Sequence, residues 1–242
     1  MHSYKILDWD SAFFGYKVAT LLLPVFGDGE FRNVLRTLRE EQVKLAYWSP
    51  ENRGNGGESE AKIASLGGRL VDIKTTYRQS LEGNSPDNVK RDRRVTEYTD
   101  HSIHPDLVDL AFESGIFSRY KVDERIGKQK FEELYRIWVE ESVAKRMAKT
   151  ILVTCEGKRL TGMITLGERE AMGNIGLFAV DPSYRGKGLG YGLIQGAYRW
   201  FIENGYKSVN VVTQQANESA CLFYEKTGFS KVSAKPFYHF WI

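Results

Sequence analysis

The sequence has few features of secreted, membrane-spanning or disulfide-bonded proteins. Its 242 residues include only two cysteines, Cys155 and Cys221, which are too few for a disulfide framework. No apolar run approaches the roughly 20 residues that span a bilayer, and the N-terminus has no apolar signal segment. These absences predict a cytoplasmic protein without membrane insertion.

The chain also has little net charge. The chain carries 34 basic and 31 acidic residues, for a formal net charge of +3. Such a small imbalance gives no strong field that would favour nucleic acid, so any basic function has to be local. The histidines are scattered, and neither cysteine has a second one at zinc-ligand spacing. We therefore predict neither a metal site nor a nucleic-acid partner.

Apolar residues make up 42% of the chain, which is enough for a packed core. A stretch rich in charge and turn formers, EGNSPDNVKRDRRV, is typical of a linker between two modules. We predict a smaller N-terminal α/β module over residues 1–82, a linker over 83–94 and a second domain over 95–242. The N-terminal module is predicted to bind the acceptor.

Periodicity predicts the elements of both parts. In the first, a helix places four apolar residues on one face: Phe31, Val34, Leu35 and Leu38. In the second, a helix over 127–145 is predicted to bury four aromatic or aliphatic residues: Phe131, Leu134, Tyr135 and Trp138. Three strand-like runs then follow with a short turn between the first two, which is typical of an antiparallel meander. The predicted order in the second domain is ααβββαβαβ.

One internal likeness has two explanations. IASLGGRLVDIKTTY and FYEKTGFSKVSAKPFY both read as helix, glycine stop and strand. Helix-strand units that end their helix with glycine look alike in many folds, and an ancient duplication would give the same pattern. The sequence leaves both open.

A glycine-rich basic loop follows the third strand, in the run VDPSYRGKGLGYGLI. Glycines let the backbone approach an anion, the first helical turn offers unpaired N–H groups, and Arg185 and Lys187 add charge. A nucleotide-hydrolase loop would need lysine and a hydroxyl directly after the last glycine, but Tyr191 follows Gly190. A dinucleotide fold would need a parallel βαβ start. A pyrophosphate fits the donors, and a plain turn with solvated cations is the alternative.

Two separated runs, LFAVDPSYRGKGLGYGLI and NESACLFYEKTGF, resemble the acyl-CoA signature of the GNAT superfamily of N-acetyltransferases in residues and spacing. The resemblance covers about residues 95–242. It implies an α/β (α+β) fold with a mixed, splayed sheet flanked by helices, and acetyl-CoA as co-substrate. It implies a loop that binds the pyrophosphate, formed by Arg185, Gly186, Lys187, Gly188 and Gly190. It also implies a strand whose backbone pairs with the pantetheine arm, at Phe178, Ala179 and Val180.

The second run carries the chemistry. Acetyl transfer to an amine needs a neutral nucleophile and a proton for the departing thiolate. Tyr224 lies seven residues after Asn217, two turns along one helical face. The resemblance implies that Tyr224 is the general acid and that Asn217 binds pantetheine. The alternatives are a packed aromatic and a helix N-cap. The sequence does not identify the general base: Glu168 and Glu170 lie in the turn before the third strand, where charges are more often only solvated, and a water chain would also serve.

Three further stretches, LDWDSAFFGYKVATL, LGGRLVDIKTTY and FESGIFSRYKVDERI, resemble the dTDP-fucosamine acetyltransferase group. That group acetylates the 4-amino group of a nucleotide-linked 4-amino-4,6-dideoxy sugar. A nucleotide sugar needs aromatic faces and a cation, which Phe14, Tyr120 and Arg119 would supply. Core packing and a surface ion pair are the alternatives for these residues.

Two other functions stay open at this point. One is a protein or peptide α-amine acetyltransferase, for which an open acceptor groove is expected. The other is a non-catalytic acyl-CoA-binding regulator, against which the presence of Tyr224 counts. A homodimer also stays open.

Overall fold

The computed structural model describes residues 3–50 and 57–242. The chain forms two compact units, Met1–Thr75 with Ser233–Ile242, and Thr76–Val232. The boundary between the two units lies inside two long strands and not at residues 83–94, where the linker was predicted. The last ten residues, which we expected in the second domain, join the first unit because they pair with a strand there.

The strands are β1 (Tyr4–Ile6), β2 (Lys17–Leu21), β3 (Val43–Trp48), β4 (Gly68–Ser80), β5 (Val95–Glu97), β6 (Thr150–Glu156), β7 (Arg159–Arg169), β8 (Met172–Val180), β9 (Ser208–Gln214) and β10 (Ser230–Trp241). The helices are α1 (Asp8–Phe14), α2 (Asp28–Glu40), α3 (Gly57–Ser65), α4 (Pro105–Ser114), α5 (Arg119–Val122), α6 (Lys128–Val143), α7 (Leu189–Glu203) and α8 (Glu218–Lys226). Among the described residues, none of these helices is both long and apolar enough to cross a bilayer.

The first unit has the strand order β1-β2-β3-β10-β4. Strands β2 and β3 are parallel, whereas β10 runs antiparallel to β3. Helix α2 buries the four apolar residues that its period predicts, against a core that includes Trp48 and Phe240. Helix α1 is not evident in the sequence, because it has only seven residues before Gly15 ends it in a left-handed conformation.

The second unit has the strand order β4-β9-β8-β7-β6-β5. The meander β6-β7-β8 is antiparallel, as predicted, and β9 adds to β8 in parallel, so the sheet is mixed. Strand β7 is buried at every position from Leu160 to Gly167. Because successive side chains point to opposite faces, both faces of this strand are covered. Helix α7 packs on β6 and β7, and α4 packs on β7 and β8.

One predicted core residue of α6 is more exposed than expected. Phe131, Leu134 and Tyr135 are buried, but Trp138 is only half-buried, and Val139 takes the inward position instead. The Trp138 ring lies against Tyr135, with centroids 4.7 Å apart. A period read from four residues fixes the buried face of a helix only to within one position.

Candidate functional site

Strand β8 separates from its parallel neighbour β9 halfway along its length. The pairs between the two strands end at Ile175 opposite Val211, although β8 continues to Val180. Among the residues that the structure describes, one edge of the β8 backbone therefore has no strand partner near its C-terminal end. An extended ligand can bind such an edge as an additional strand does.

A β-bulge in β8 lies at the point of separation. Gly176 and Leu177 together face the single residue Thr165 of β7. The Leu177 backbone N–H donates to the Thr165 hydroxyl across 2.7 Å, which satisfies a group that the bulge would leave unpaired. A Cβ atom on Gly176 would lie 2.6 Å from that hydroxyl oxygen, so a larger residue here would have to displace the Thr165 side chain. Because a bulge bends its strand and increases the twist, it turns the end of β8 away from β9.

The glycine-rich loop connects β8 to α7. Gly186 and Gly188 have positive φ angles of 76° and 77°, which disfavour residues with a Cβ. Gly188 is the N-cap of α7, and the first intrahelical bond runs from the Gly192 N–H to the Gly188 carbonyl. The three N–H groups before Gly192 therefore have no partner within the helix. This is the backbone arrangement that binds anions.

The two predicted cations of the loop already have partners. Arg185 donates from Nη2 to Glu113 of α4 across 2.5 Å and from Nε to the Val180 carbonyl across 3.2 Å. The Lys187 Nζ lies 4.5 Å from the centroid of the Tyr184 ring. The Arg185 guanidinium is thus fixed at the end of β8, with part of its charge balanced by a carboxylate.

Tyr224 lies on α8 beneath the separated strands. Its side chain is 5% exposed, and its ring contacts Phe178, Tyr77 and Phe229 at centroid distances of 6.3, 5.8 and 5.5 Å. Burial raises the pKa of the Tyr224 phenol well above its ordinary value. The hydroxyl therefore stays protonated at neutral pH, as a proton donor has to be before it acts.

Asn217 is the N-cap of α8, which was one of its two expected roles. Its Oδ1 accepts from the Ala220 backbone N–H across 3.2 Å and from the Ser219 hydroxyl across 3.0 Å. A cap fixes the start of the helix that carries Tyr224. Its role in pantetheine binding stays a prediction.

The candidate bases Glu168 and Glu170 lie at the turn between β7 and β8, at the opposite end of β8 from the loop. Glu168 accepts from the Lys149 ammonium across 2.6 Å and from the Tyr206 hydroxyl across 2.7 Å. The Lys149 hydrogen bond, followed by that of Tyr206, lowers the pKa of Glu168. Because these partners stabilise its charged form, Glu168 is a poor general base.

The predicted acceptor residues belong to different units. Arg119 and Tyr120 lie on α5 in the second unit, where the guanidinium stacks 4.2 Å from the Tyr120 ring centroid and donates to its hydroxyl. Tyr120 is buried and packs edge-on against Trp138. Phe14 is buried in the first unit and stacks on Tyr16, with centroids 5.6 Å apart. This packing accounts for Phe14 as a core residue, and the three ligand contacts stay predictions.

Two residues of the predicted linker reach the loop, which the sequence did not indicate. Arg94 donates to the carbonyl oxygen of Lys187 across 3.0 Å, and Asp92 binds the same guanidinium. The only local signal is the pair Asp92-x-Arg94, which is common among surface ion pairs. Within the described part of the chain, no group of three or more potential metal-ligating side chains occurs.

Residues 111–229 match the model of the family described as the acetyltransferase (GNAT) family. This segment, which is just under half of the chain, is similar to that family. The match includes the bulged strand, the glycine-rich loop and α8 with Tyr224. The predicted fold class is confirmed by this match and by the mixed sheet flanked by helices.

Two curated relatives come from Bacillus subtilis (strain 168). The spore coat polysaccharide biosynthesis protein SpsD is 25% identical over 135 residues, which are 56% of this chain and 46% of that protein. Streptothricin acetyltransferase A is 29% identical over 120 residues, which are 49% of this chain and 68% of that protein. The chain thus spans about half the length of the first relative.

The solved structure of a GCN5-related N-acetyltransferase from Sphaerobacter thermophilus has a TM-score of 0.60 to this chain at 15% identity. The superposition covers 98% of this chain and 75% of that one. At this identity the likeness concerns the fold alone. It extends beyond residues 111–229 to nearly all of the chain.

Proposed function

We propose that this protein transfers the acetyl group of acetyl-CoA to a primary amine of a small molecule. The observation that carries the proposal is the opening of β8 from β9, with an anion-type loop at its C-terminal end and the Tyr224 phenol against Phe178. All of these features lie within residues 111–229, which match the GNAT family model, and this supports placing the backbone groups and the proton donor in one site.

The residues present fit acetyl-CoA. The N–H groups at the start of α7 would hold the pyrophosphate, and the unpaired β8 edge over Phe178–Val180 would hold the pantetheine arm. When bound, acetyl-CoA supplies a thioester carbonyl that an amine can attack and a thiolate that can leave.

Tyr224 performs the proton transfer in this proposal. As the amine nitrogen bonds to the carbonyl carbon and the carbon–sulfur bond breaks, the Tyr224 hydroxyl gives its proton to the sulfur. The amine releases its own proton to water, because the Lys149 hydrogen bond lowers the pKa of Glu168 and makes it a weak proton acceptor. After the thiol leaves, solvent returns a proton to Tyr224. The raised pKa of Tyr224 keeps its phenol protonated at the start of each turnover.

For the acceptor, we propose the amino group of a nucleotide-linked amino-deoxy sugar. Support comes from the three stretches that resemble the dTDP-fucosamine group, and from the match to a protein named for spore coat polysaccharide biosynthesis. The Arg119 guanidinium on the Tyr120 ring offers a cation for the diphosphate. The match to streptothricin acetyltransferase A favours a second acceptor class, free small-molecule amines.

Mass spectrometry of reaction products tests the proposal. The full chain is incubated with acetyl-CoA and, separately, nucleotide-linked amino sugars, free amino sugars, streptothricin and a peptide with a free α-amine. We expect acetylation of a nucleotide-linked amino sugar and a large loss of rate for Tyr224→Phe. Acetylation of streptothricin or the peptide alone would reject the sugar acceptor. Binding of acetyl-CoA without acetylation of any amine would reject catalysis.

A further inference from the structure

The segment before β5 contacts the glycine-rich loop. Arg94 Nη1 donates to the carbonyl oxygen of Lys187 across 3.0 Å. Its Nη2 lies 3.8 Å from the position that a Cβ atom on Gly188 would occupy. The guanidinium therefore lies over the N-cap of α7, on the side where the absence of a side chain exposes the backbone.

Asp92 holds this guanidinium in place. Arg94 Nε donates to both carboxylate oxygens at 3.0 and 3.2 Å, and Nη2 donates to Oδ2 at 2.6 Å. The Asp92 carboxylate in turn packs against the helix backbone at Gly192, where a Cβ would lie 2.5 Å from Oδ2. The hydrogen bond from Arg94 lowers the pKa of Asp92, so the Asp92 carboxylate is charged at neutral pH. The positive end of the α7 dipole favours a carboxylate at this place.

The bound guanidinium retains donors for a ligand. An arginine has five N–H groups, and the contacts with Asp92 and Lys187 use one on each nitrogen. One N–H on Nη1 and one on Nη2 remain, on a side chain that is about half exposed. Arg185, the motif arginine, also retains donors besides those to Glu113 and the Val180 carbonyl, so Arg94 would bind the anion beside it.

We infer that Arg94 binds the pyrophosphate of acetyl-CoA and that Asp92 is its positioning residue. The inference rests on the proposed function, because it assumes acetyl-CoA at this loop. A guanidinium that is fixed before the ligand arrives loses little side-chain entropy on binding, and its planar fork suits phosphate oxygens. The predicted linker thus belongs to the cofactor site.

Calorimetric titration of the full chain with CoA tests the inference, with the neighbouring exposed residue Arg93 as the matched control. We expect Arg94→Ala to weaken binding about 10-fold or more, as for a lost charge-assisted hydrogen bond. Arg93→Ala makes the same change in net charge and should weaken binding by less than about 3-fold. Equal effects of the two substitutions would overturn the inference.

Two further variants separate direct binding from support of the loop. Arg94→Lys keeps the charge, whereas Arg94→Gln keeps a donor for the Lys187 carbonyl without the charge. We expect the lysine variant to bind CoA more tightly than the glutamine variant. The reverse order would show that Arg94 only supports the loop.

Two further ligands show which phosphate of CoA Arg94 binds. With dephospho-CoA, which lacks the 3′-phosphate, the loss caused by Arg94→Ala should persist; if it disappears, the pyrophosphate assignment is wrong. With S-acetylpantetheine, which has no phosphate, Arg94→Ala and Asp92→Asn should leave KM unchanged. Asp92→Asn should weaken CoA binding, and unchanged affinity would reject its positioning role.

The controls also separate this inference from the proposed function. If the wild-type protein does not bind CoA, the proposed function fails. If it binds CoA and Arg94→Ala behaves like Arg93→Ala, only the inference fails. Thermal unfolding of each variant verifies that it is folded at the temperature of the titration.

Discussion

The ring of Tyr224 lies against the ring of Phe178, with centroids 6.3 Å apart. Helix α8 and the separated end of β8 therefore meet at the side chain that we propose as the proton donor. Both residues were predicted from sequence motifs, they lie 46 positions apart in the chain, and the contact brings the predicted pantetheine strand next to the predicted acid.

Tyr224→Phe should remove the chemistry and leave the fold intact. We expect kcat to fall by about 10²- to 10⁴-fold, as for loss of a general acid, with little change in affinity for acetyl-CoA. Tyr198→Phe is the matched control, because its buried hydroxyl donates to the Thr227 carbonyl across 2.7 Å. That variant should lose about 1 kcal/mol of folding stability and keep kcat. Steady-state kinetics and thermal unfolding measure both effects.

The pH profile of kcat follows from the environment of Tyr224. Burial raises the pKa of its phenol above the ordinary value of about 10, so the protonated form persists as the pH rises. Activity should increase with pH as the acceptor amine loses its proton, and should then stay level to at least about pH 9.5. An alkaline fall of kcat with an apparent pKa of about 8 to 9, with the protein still folded, would contradict Tyr224 as the acid.

Gly188→Ala should weaken CoA binding more than its effect on folding explains. Gly188 and Gly205 have nearly the same φ, 77° and 80°. An alanine at either position should destabilise the fold by about 1 to 2 kcal/mol, because left-handed backbone is unfavourable for L-residues. Only Gly188 lies at the proposed anion site, so only that variant should bind CoA about 10-fold more weakly. Calorimetry and denaturant unfolding of both variants test this difference.

Glu113→Gln should increase the affinity for CoA. Glu113 balances the charge of Arg185 across 2.5 Å at the end of β8, and its own charge would repel a pyrophosphate. The gain should be about threefold, since the pair is partly exposed to solvent. Glu133→Gln in α6 removes a comparable pair with Lys130 away from the loop and should change nothing. A lower affinity for Glu113→Gln would mean that Glu113 orients Arg185 for binding.

Arg119→Ala should raise KM for only one of the two substrates. If Arg119 contacts the diphosphate of the acceptor, KM for the nucleotide sugar should rise about 10-fold or more while KM for acetyl-CoA stays the same. Lys121→Ala removes a neighbouring charge, whose ammonium lies 5.2 Å from the Phe131 ring centroid, and is the control. An equal rise in both KM values would assign Arg119 to folding instead.

The sequence predicted the elements that local patterns specify. The apolar period of α2 identified its buried face, and the apolar runs and the turn between β6 and β7 identified the antiparallel meander. The glycines between β8 and α7 identified the loop, because positive φ angles and an uncapped helix start depend on neighbouring residues alone.

The sequence did not predict which strands pair when they lie far apart along the chain. The final strand β10 leaves the predicted second domain to pair with β3, and β8 separates from β9 where a bulge faces Thr165. The partner of a strand depends on residues far along the chain, which a local period does not encode.

The sequence by itself therefore predicted a GNAT-type loop, an extended strand and a helix that carries the proposed proton donor Tyr224. Tertiary structure alone decided which charges meet. It fixed Arg185 on Glu113, held Glu168 on Lys149, and brought Arg94 to the Lys187 carbonyl across 93 positions of the chain. The physical reason is that backbone preferences act between neighbours, whereas an ion pair forms wherever folding brings opposite charges within a few ångströms.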